Sequence, residues 1–135
     1  MTEIVCHLAD EETEDFRPRV EATLAGAPWS PLDLDGVSER RGYNSRELVA
    51  ELERFRSTRA ANVQWFRALL DRPKAQDWAT AHQHPKFGPI RAGDVLTSWA
   101  AHDALHLRQI ARRLHNLAEE DAGSLGCRVD YAGAW

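Results

Sequence analysis

Trp99-Ala100-Ala101-His102-Asp103-Ala104-Leu105-His106-Leu107-Arg108-Gln109-Ile110 carries no glycine or proline, and its large apolar residues recur at helical spacing. At 100° per residue, His102 and His106 are nearly superimposed on one face. Val95, Trp99, Ile110 and Leu117 share that face, so two imidazoles are set into the stripe that should form a core. There each needs a hydrogen-bond partner or a metal. A histidine pair at i, i+4 is a common way for one helix to give two nitrogen ligands to one ion. A pair of core histidines satisfied by neighbouring carboxylates is the plainer alternative, and this segment alone leaves both open. His115 falls on the opposite face and reads as a solvated residue.

Outward from this segment, almost all of the patterning is helical. The last long helix is expected over roughly Ala92 to Leu117, followed by an irregular tail rich in glycine that ends in Trp135. A first helical segment covers about Thr2 to Ala25, with Ile4, Leu8, Val20 and Leu24 at spacings of four. Pro18 should interrupt it by removing an amide donor and crowding the preceding turn. From Gly26 to Asn44 the chain reads as a long connection, with Asp33 and Gly36 among its turn residues, of the kind that crosses the end of a bundle. Asn44 and Glu47 match a capping box ahead of a second helix that runs to about Asp71, before Pro73. Its apolar stripe is Leu48, Leu52, Phe55, Val63, Phe66 and Leu70. A helical turn carrying Trp78 is expected at Ala75 to Ala81, then a loop through His82-Gln83-His84-Pro85. No strand alternation, repeat or low-complexity tract stands out. An all-α chain is expected.

The 135 residues are 43% hydrophobic and 28% charged, which fits one globular domain spanning 1–135. The net charge of -4 argues against a generic phosphate-backbone binder, and no nucleic-acid partner is expected. Arg108, Arg112 and Arg113 read as a solvated face that complements a helix end. Charged residues interrupt every apolar stretch, so no membrane span is expected. The start of the chain lacks a basic segment followed by an apolar core, and a cytoplasmic location is expected. Cys6 reads as a buried, inert thiol, and Cys127 has no partner pattern.

His7 is the candidate for a third ligand. It sits on the first helix beside Ile4, Leu8 and Glu11, and in a bundle it can face the His102/His106 pair across the core. Three neutral imidazoles with one open position make a catalytic type of site rather than a closed one. His82 and His84 form an H-x-H pair in a loop and read as ordinary exposed histidines, since loops preorganise ligands poorly.

Ile4-Val5-Cys6-His7-Leu8-Ala9-Asp10-Glu11-Glu12, taken with Trp99 to Ile110, resembles the DinB/YfiT-like superfamily. His84 to Ile90 and the closing Asp130 to Trp135 are similar to family segments too. The resemblance implies an up-down-down-up four-helix bundle with a long crossover, binding a divalent metal through His7, His102 and His106. Zinc and nickel lead among the metals implied, with manganese or iron as alternatives. His7 stands six residues from the start, where the family places a whole helix before the first ligand. The bundle is therefore expected to lack its first helix, and a homodimer is expected to cover the face left open. Some members transfer a low-molecular-weight thiol to an electrophile, which makes such a thiol a candidate cosubstrate beside a small-molecule substrate. Glu11, one turn from His7, is a candidate base or imidazole orienter, and Asp103 a candidate for the same work on the other helix. Two alternatives are a hydrolase using metal-activated water and a metal-binding module without catalysis, structural or stress-responsive.

Overall fold

A computed structural model describes residues 1–32, 35–72 and 76–133. The turn expected at Asp33, the stop at Pro73, the start of the Trp78 turn at Ala75 and the terminal Trp135 lie outside the described residues. The chain is mostly helical: α1 (Thr2–Glu14), α2 (Phe16–Leu24), the short α3 (Val37–Arg40), α4 (Leu48–Leu70) and α5 (Ala92–Ser124). Pro18 interrupts the first segment, but the break shows one turn upstream, at Asp15 (φ −116°, ψ −83°). A proline ring collides with the carbonyl four residues before it, here that of Glu14, so the helix must reset ahead of the ring. Pro18 then sits within the first turn of α2, where its missing amide costs nothing.

Two expectations at helix ends are corrected. Asn44 does not cap α4; its side chain donates to Glu3 Oε1 at 2.6 Å, and the helix begins at Leu48 after an uncapped Glu47. The last helix reaches Ser124 rather than Leu117. Ala118, Glu119, Glu120 and Ala122 continue it with good helix formers, and Gly126, at φ 71°, lets the chain turn away.

The absence of strands is also overturned. Ala81–His84 (β1) and Gly88–Arg91 (β2) pair antiparallel, with His82 opposite Ile90 and His84 opposite Gly88. His84 Nδ1 accepts from the amides of Lys86 and Phe87 (3.1 and 3.3 Å), which closes the turn. Trp29, from the crossover after α2, stacks on His82 with centroids 4.4 Å apart. Two segments of four residues, the second with Pro89 and neither with a run of β-branched side chains, carry too short an alternation to register as strands.

α1 packs along α4, and α2 along α5, whereas α1 and α5 meet sparsely. The apolar core gathers Phe16 and Val20 of α2 with Val95 and Trp99 of α5, flanked by Leu24, Trp29, Trp65, Trp78, Ile90 and Leu96. Phe16 and Trp99 stack almost parallel, 5.5 Å apart.

The face that α4 buries is not its apolar stripe. Leu52, Val63 and Leu70 of that stripe are exposed, while Glu51, Asn62 and Leu69 are buried. The reason is the partner surface: α1 turns Asp10, Glu11 and Glu12 inward, so α4 answers with donors. Arg54 Nη1 meets Asp10 Oδ1 at 2.7 Å, and Arg59 Nη2 meets Glu12 Oε1 at 2.6 Å. Asn62 Nδ2 donates to the Glu12 carbonyl at 2.8 Å. Buried carboxylates are tolerated only when paired and hydrogen-bonded, and charge pairing overrides hydrophobic patterning at this contact.

Candidate metal centre

His7 and Glu11 stand one turn apart on α1, and His102 and His106 one turn apart on α5. The helices cross so that the two pairs face each other. His7 Nε2 lies 3.2 Å from Glu11 Oε1, and His102 Nε2 lies 3.1 Å from Glu11 Oε2. His102 Nε2 and His106 Nε2 are 3.0 Å apart. Ring centroids are separated by 5.6 Å (His7–His102), 4.9 Å (His7–His106) and 4.3 Å (His102–His106). One donor atom from each of the four residues lies within 4.8 Å of every other. The three histidines and Glu11 singled out in the sequence are thus brought together, and the cluster could hold a metal ion.

Three observations fit a cation at the centre. His106 Nδ1 is 2.8 Å from Gln109 Oε1, and an amide oxygen accepts only from N–H, so the hydrogen sits on Nδ1 and the Nε2 lone pair points inward. Glu11 Oε2 is buried and receives no hydrogen bond of acceptable geometry, although His102 Nε2 is close. The electrostatics agree with both. Burial, then the neighbouring imidazoles, pushes His102 down to about 4, and burial followed by His106 lowers His7. Burial and the nearby Asp15 carboxylate raise Glu11 to about 8. His7 and His102 are therefore neutral lone-pair donors, and the carboxyl group is short of positive charge. Imidazole and carboxylate are a donor set suited to zinc and its neighbours.

Other candidates are placed elsewhere. Asp103, expected to orient an imidazole, instead receives Arg59 Nη1 at 2.7 Å and Nη2 at 3.0 Å, because the residue after His102 points about 100° away from it. His115 is partly buried beside Glu119 rather than solvated (Nδ1 to Oε2, 3.6 Å). His82 and His84 serve the hairpin, and Cys6 is fully buried. Gln109, which sets the His106 tautomer, was not anticipated. Its position three residues after His106, on the same helix face, is the signal that could have found it.

A cavity of about 290 Å³ opens beside His7 and Glu11, walled by Asp10, Glu14, Arg40, Arg41 and Tyr43. Tyr43 donates to Asp10 Oδ2 at 2.6 Å, and Arg41 forks onto both Glu14 oxygens at 2.8 Å, so this wall is held by its own hydrogen bonds. Among the described residues no helix is long and apolar enough to cross a membrane. No curated protein matches the chain. The sequence profile of the DinB superfamily matches residues 1–110, a stretch that includes all four clustered residues, and the chain belongs to that superfamily.

Proposed function

We propose that the protein is a divalent-metal-dependent enzyme that transfers a low-molecular-weight thiol to a small electrophile. The observation that carries this reading is the convergence of three imidazoles and one carboxylate beside an open cavity. Zinc or nickel held by His7, His102 and His106 would supply Lewis acidity that favours the thiolate form of a bound thiol. Glu11, beside His7 and His102, would take the proton that the thiol gives up on binding, and the thiolate sulfur would then attack the electrophile, whose leaving group departs with the bonding pair. Gln109 keeps the His106 ring in register, and the wall of Tyr43, Arg41 and Arg40 shapes the approach of the small molecule. The two free cysteines, Cys6 buried and Cys127 exposed, fit a reducing cytoplasm.

One feature favours a second reading: Glu11 completes a set of four donors, and four protein ligands close a structural site. Cobalt-substituted protein titrated with a thiol separates the two. In the enzyme reading the visible bands shift on thiol addition, and Glu11→Gln lowers the rate of electrophile consumption at least ~10²-fold while metal stays bound. Bands indifferent to every thiol, with no electrophile consumed, leave the structural module. Turnover without any thiol points to the hydrolase.

The exposed faces of α4 and α5 flank a largely apolar groove of about 240 Å³, lined by Val63, Phe66, Leu96, Trp99 and Ala100 together with Arg59, Asn62 and Asp103. We propose that a second copy covers it. Beyond the groove α5 exposes Leu107 and Leu114, with Arg108 and Arg112 followed by Glu119 and Asp121, so an antiparallel copy sets basic residues against acidic ones. Sedimentation at micromolar concentration is expected to give twice the chain mass, and Leu107→Lys with Leu114→Lys the single mass. A wild-type monomer overturns this pairing.

A further inference from the structure

Glu12 follows Glu11, and Asp103 follows His102; both second members of these pairs are held by one side chain of a third helix. Arg59 of α4 places Nε and Nη2 on the Glu12 carboxylate (2.9 and 2.6 Å) and Nη1 and Nη2 on that of Asp103 (2.7 and 3.0 Å). Consecutive residues of a helix point about 100° apart. Turning Glu12 and Asp103 toward α4 therefore fixes the direction in which Glu11 and His102 leave their own helices. Direct contact between α1 and α5 is sparse, so the guanidinium is a main tie between the two helices that supply the donors. Trp99 adds a second tie, since its Nε1–H donates to Glu12 Oε1 at 2.8 Å.

We propose that Arg59 is a positioning residue for the metal centre: it sets the separation and rotation of α1 against α5, and through them the gap between His7/Glu11 and His102/His106. The inference rests on the metal-centre reading above. The scale of the effect follows from geometry. A ring nitrogen stands roughly 6 Å from its helix axis, so a rotation of about 10° moves it by ~1 Å. Productive sites tolerate about 0.5 Å. A guanidinium serves here because its planar fork binds two carboxylates at once, which a lysine ammonium on a flexible stem does not reproduce. Arg54 ties α4 to Asp10 and the Cys6 carbonyl on α1 in a similar way, and its further partner Glu51 lies on α4 itself.

The test uses the full chain with Asp103→Ala and Arg59→Lys, and reads three quantities. These are zinc affinity by competition with a chromophoric chelator, the visible spectrum of the cobalt form, and thermal unfolding without metal. Asp103→Ala cuts the tie to α5 and leaves Glu12 its arginine, so the variant stays folded even if Arg59→Lys does not. Zinc affinity is expected to fall about 10–100-fold in the folded variants, with an altered cobalt spectrum. Leu69→Ala, at the far end of α4, is expected to lose comparable stability while its zinc affinity stays within about twofold of wild type. A folded Asp103→Ala chain with wild-type zinc affinity and cobalt spectrum overturns the inference and reduces Arg59 to a structural ion pair. A wild-type chain that takes up no zinc or cobalt overturns the metal-centre reading itself, so the two failures are told apart.

Discussion

His106→Ala is expected to abolish stoichiometric zinc retention. The His106 side chain contributes an inward lone pair, fixed by its contact with Gln109 at 2.8 Å, and stands 3.0 Å from the next donor nitrogen. In the metal-centre reading its removal takes away a ligand rather than a support, so the loss of affinity should exceed the ~10–100-fold typical of outer hydrogen-bond partners. The same change is visible without any assay of turnover. A ligand that binds only the folded chain stabilises it by about 2.7 kcal/mol when present at 100 times its dissociation constant. Wild-type protein should therefore unfold at a higher temperature with excess zinc, and His106→Ala at nearly the same temperature with and without it. His115→Ala separates a site effect from a helix effect: His115 lies further along α5, beside Glu119, and its loss should leave the zinc-dependent shift intact. Equal zinc shifts in wild type and His106→Ala would remove this residue from the centre.

The histidines were legible in the sequence because their signal is local. Two side chains at i, i+4 share a face whatever the rest of the chain does, and a polar ring on an apolar stripe needs an explanation. His7 and Glu11 follow the same rule on α1. The long crossover and the effect of Pro18 were legible too, since proline and glycine act through backbone geometry. What failed were the judgements on which face of α4 is buried, on Asn44 as its cap and on the hairpin, each of which depends on what a neighbouring segment presents. The Leu52, Val63 and Leu70 stripe of α4 satisfies the helical period, yet α4 buries Glu51 and Asn62 instead. Periodicity shows that a helix has two faces; which of them is buried depends on what the neighbouring helix presents, and α1 presents carboxylates. Asp103 turns to Arg59 for a related reason, since its neighbour His102 is a poor guide to direction when successive residues diverge by about 100°. The hairpin from Ala81 to Arg91 is held by the stacking of Trp29 on His82, a contact across more than fifty residues that no local window contains.

The most destabilising substitution is expected at one of those buried carboxylates. Glu12 is only 1% exposed, and its oxygens collect four hydrogen bonds: from Arg59 Nε and Nη2, from Asn62 Nδ2 (3.0 Å) and from Trp99 Nε1. Glu12→Ala leaves all four donors without that acceptor. The buried indole N–H of Trp99 is left without an acceptor, at about 1–3 kcal/mol, whereas Asn62 loses one of two hydrogen bonds and keeps the one to the Glu12 carbonyl at 2.8 Å. Arg59 is partly exposed and keeps Asp103, so water recovers some of its loss. Breaking a buried pair from one side costs about 3–5 kcal/mol, and for a chain of this size that lowers the unfolding temperature by roughly 10–20 °C. Most of this cost reflects the stranded partners rather than the net worth of the pair, and a double-mutant cycle exposes the difference. Glu12→Leu combined with Arg59→Met removes both charges and fills the space with apolar groups, so it should be more stable than Glu12→Leu alone. If chemical denaturation shows instead that the double variant is no more stable than Glu12→Leu alone, stranding Arg59 is not the source of the loss and the pair contributes net stability of its own. The acidic face of α1 would then be a source of stability in the α1–α4 contact rather than a cost the fold has to offset.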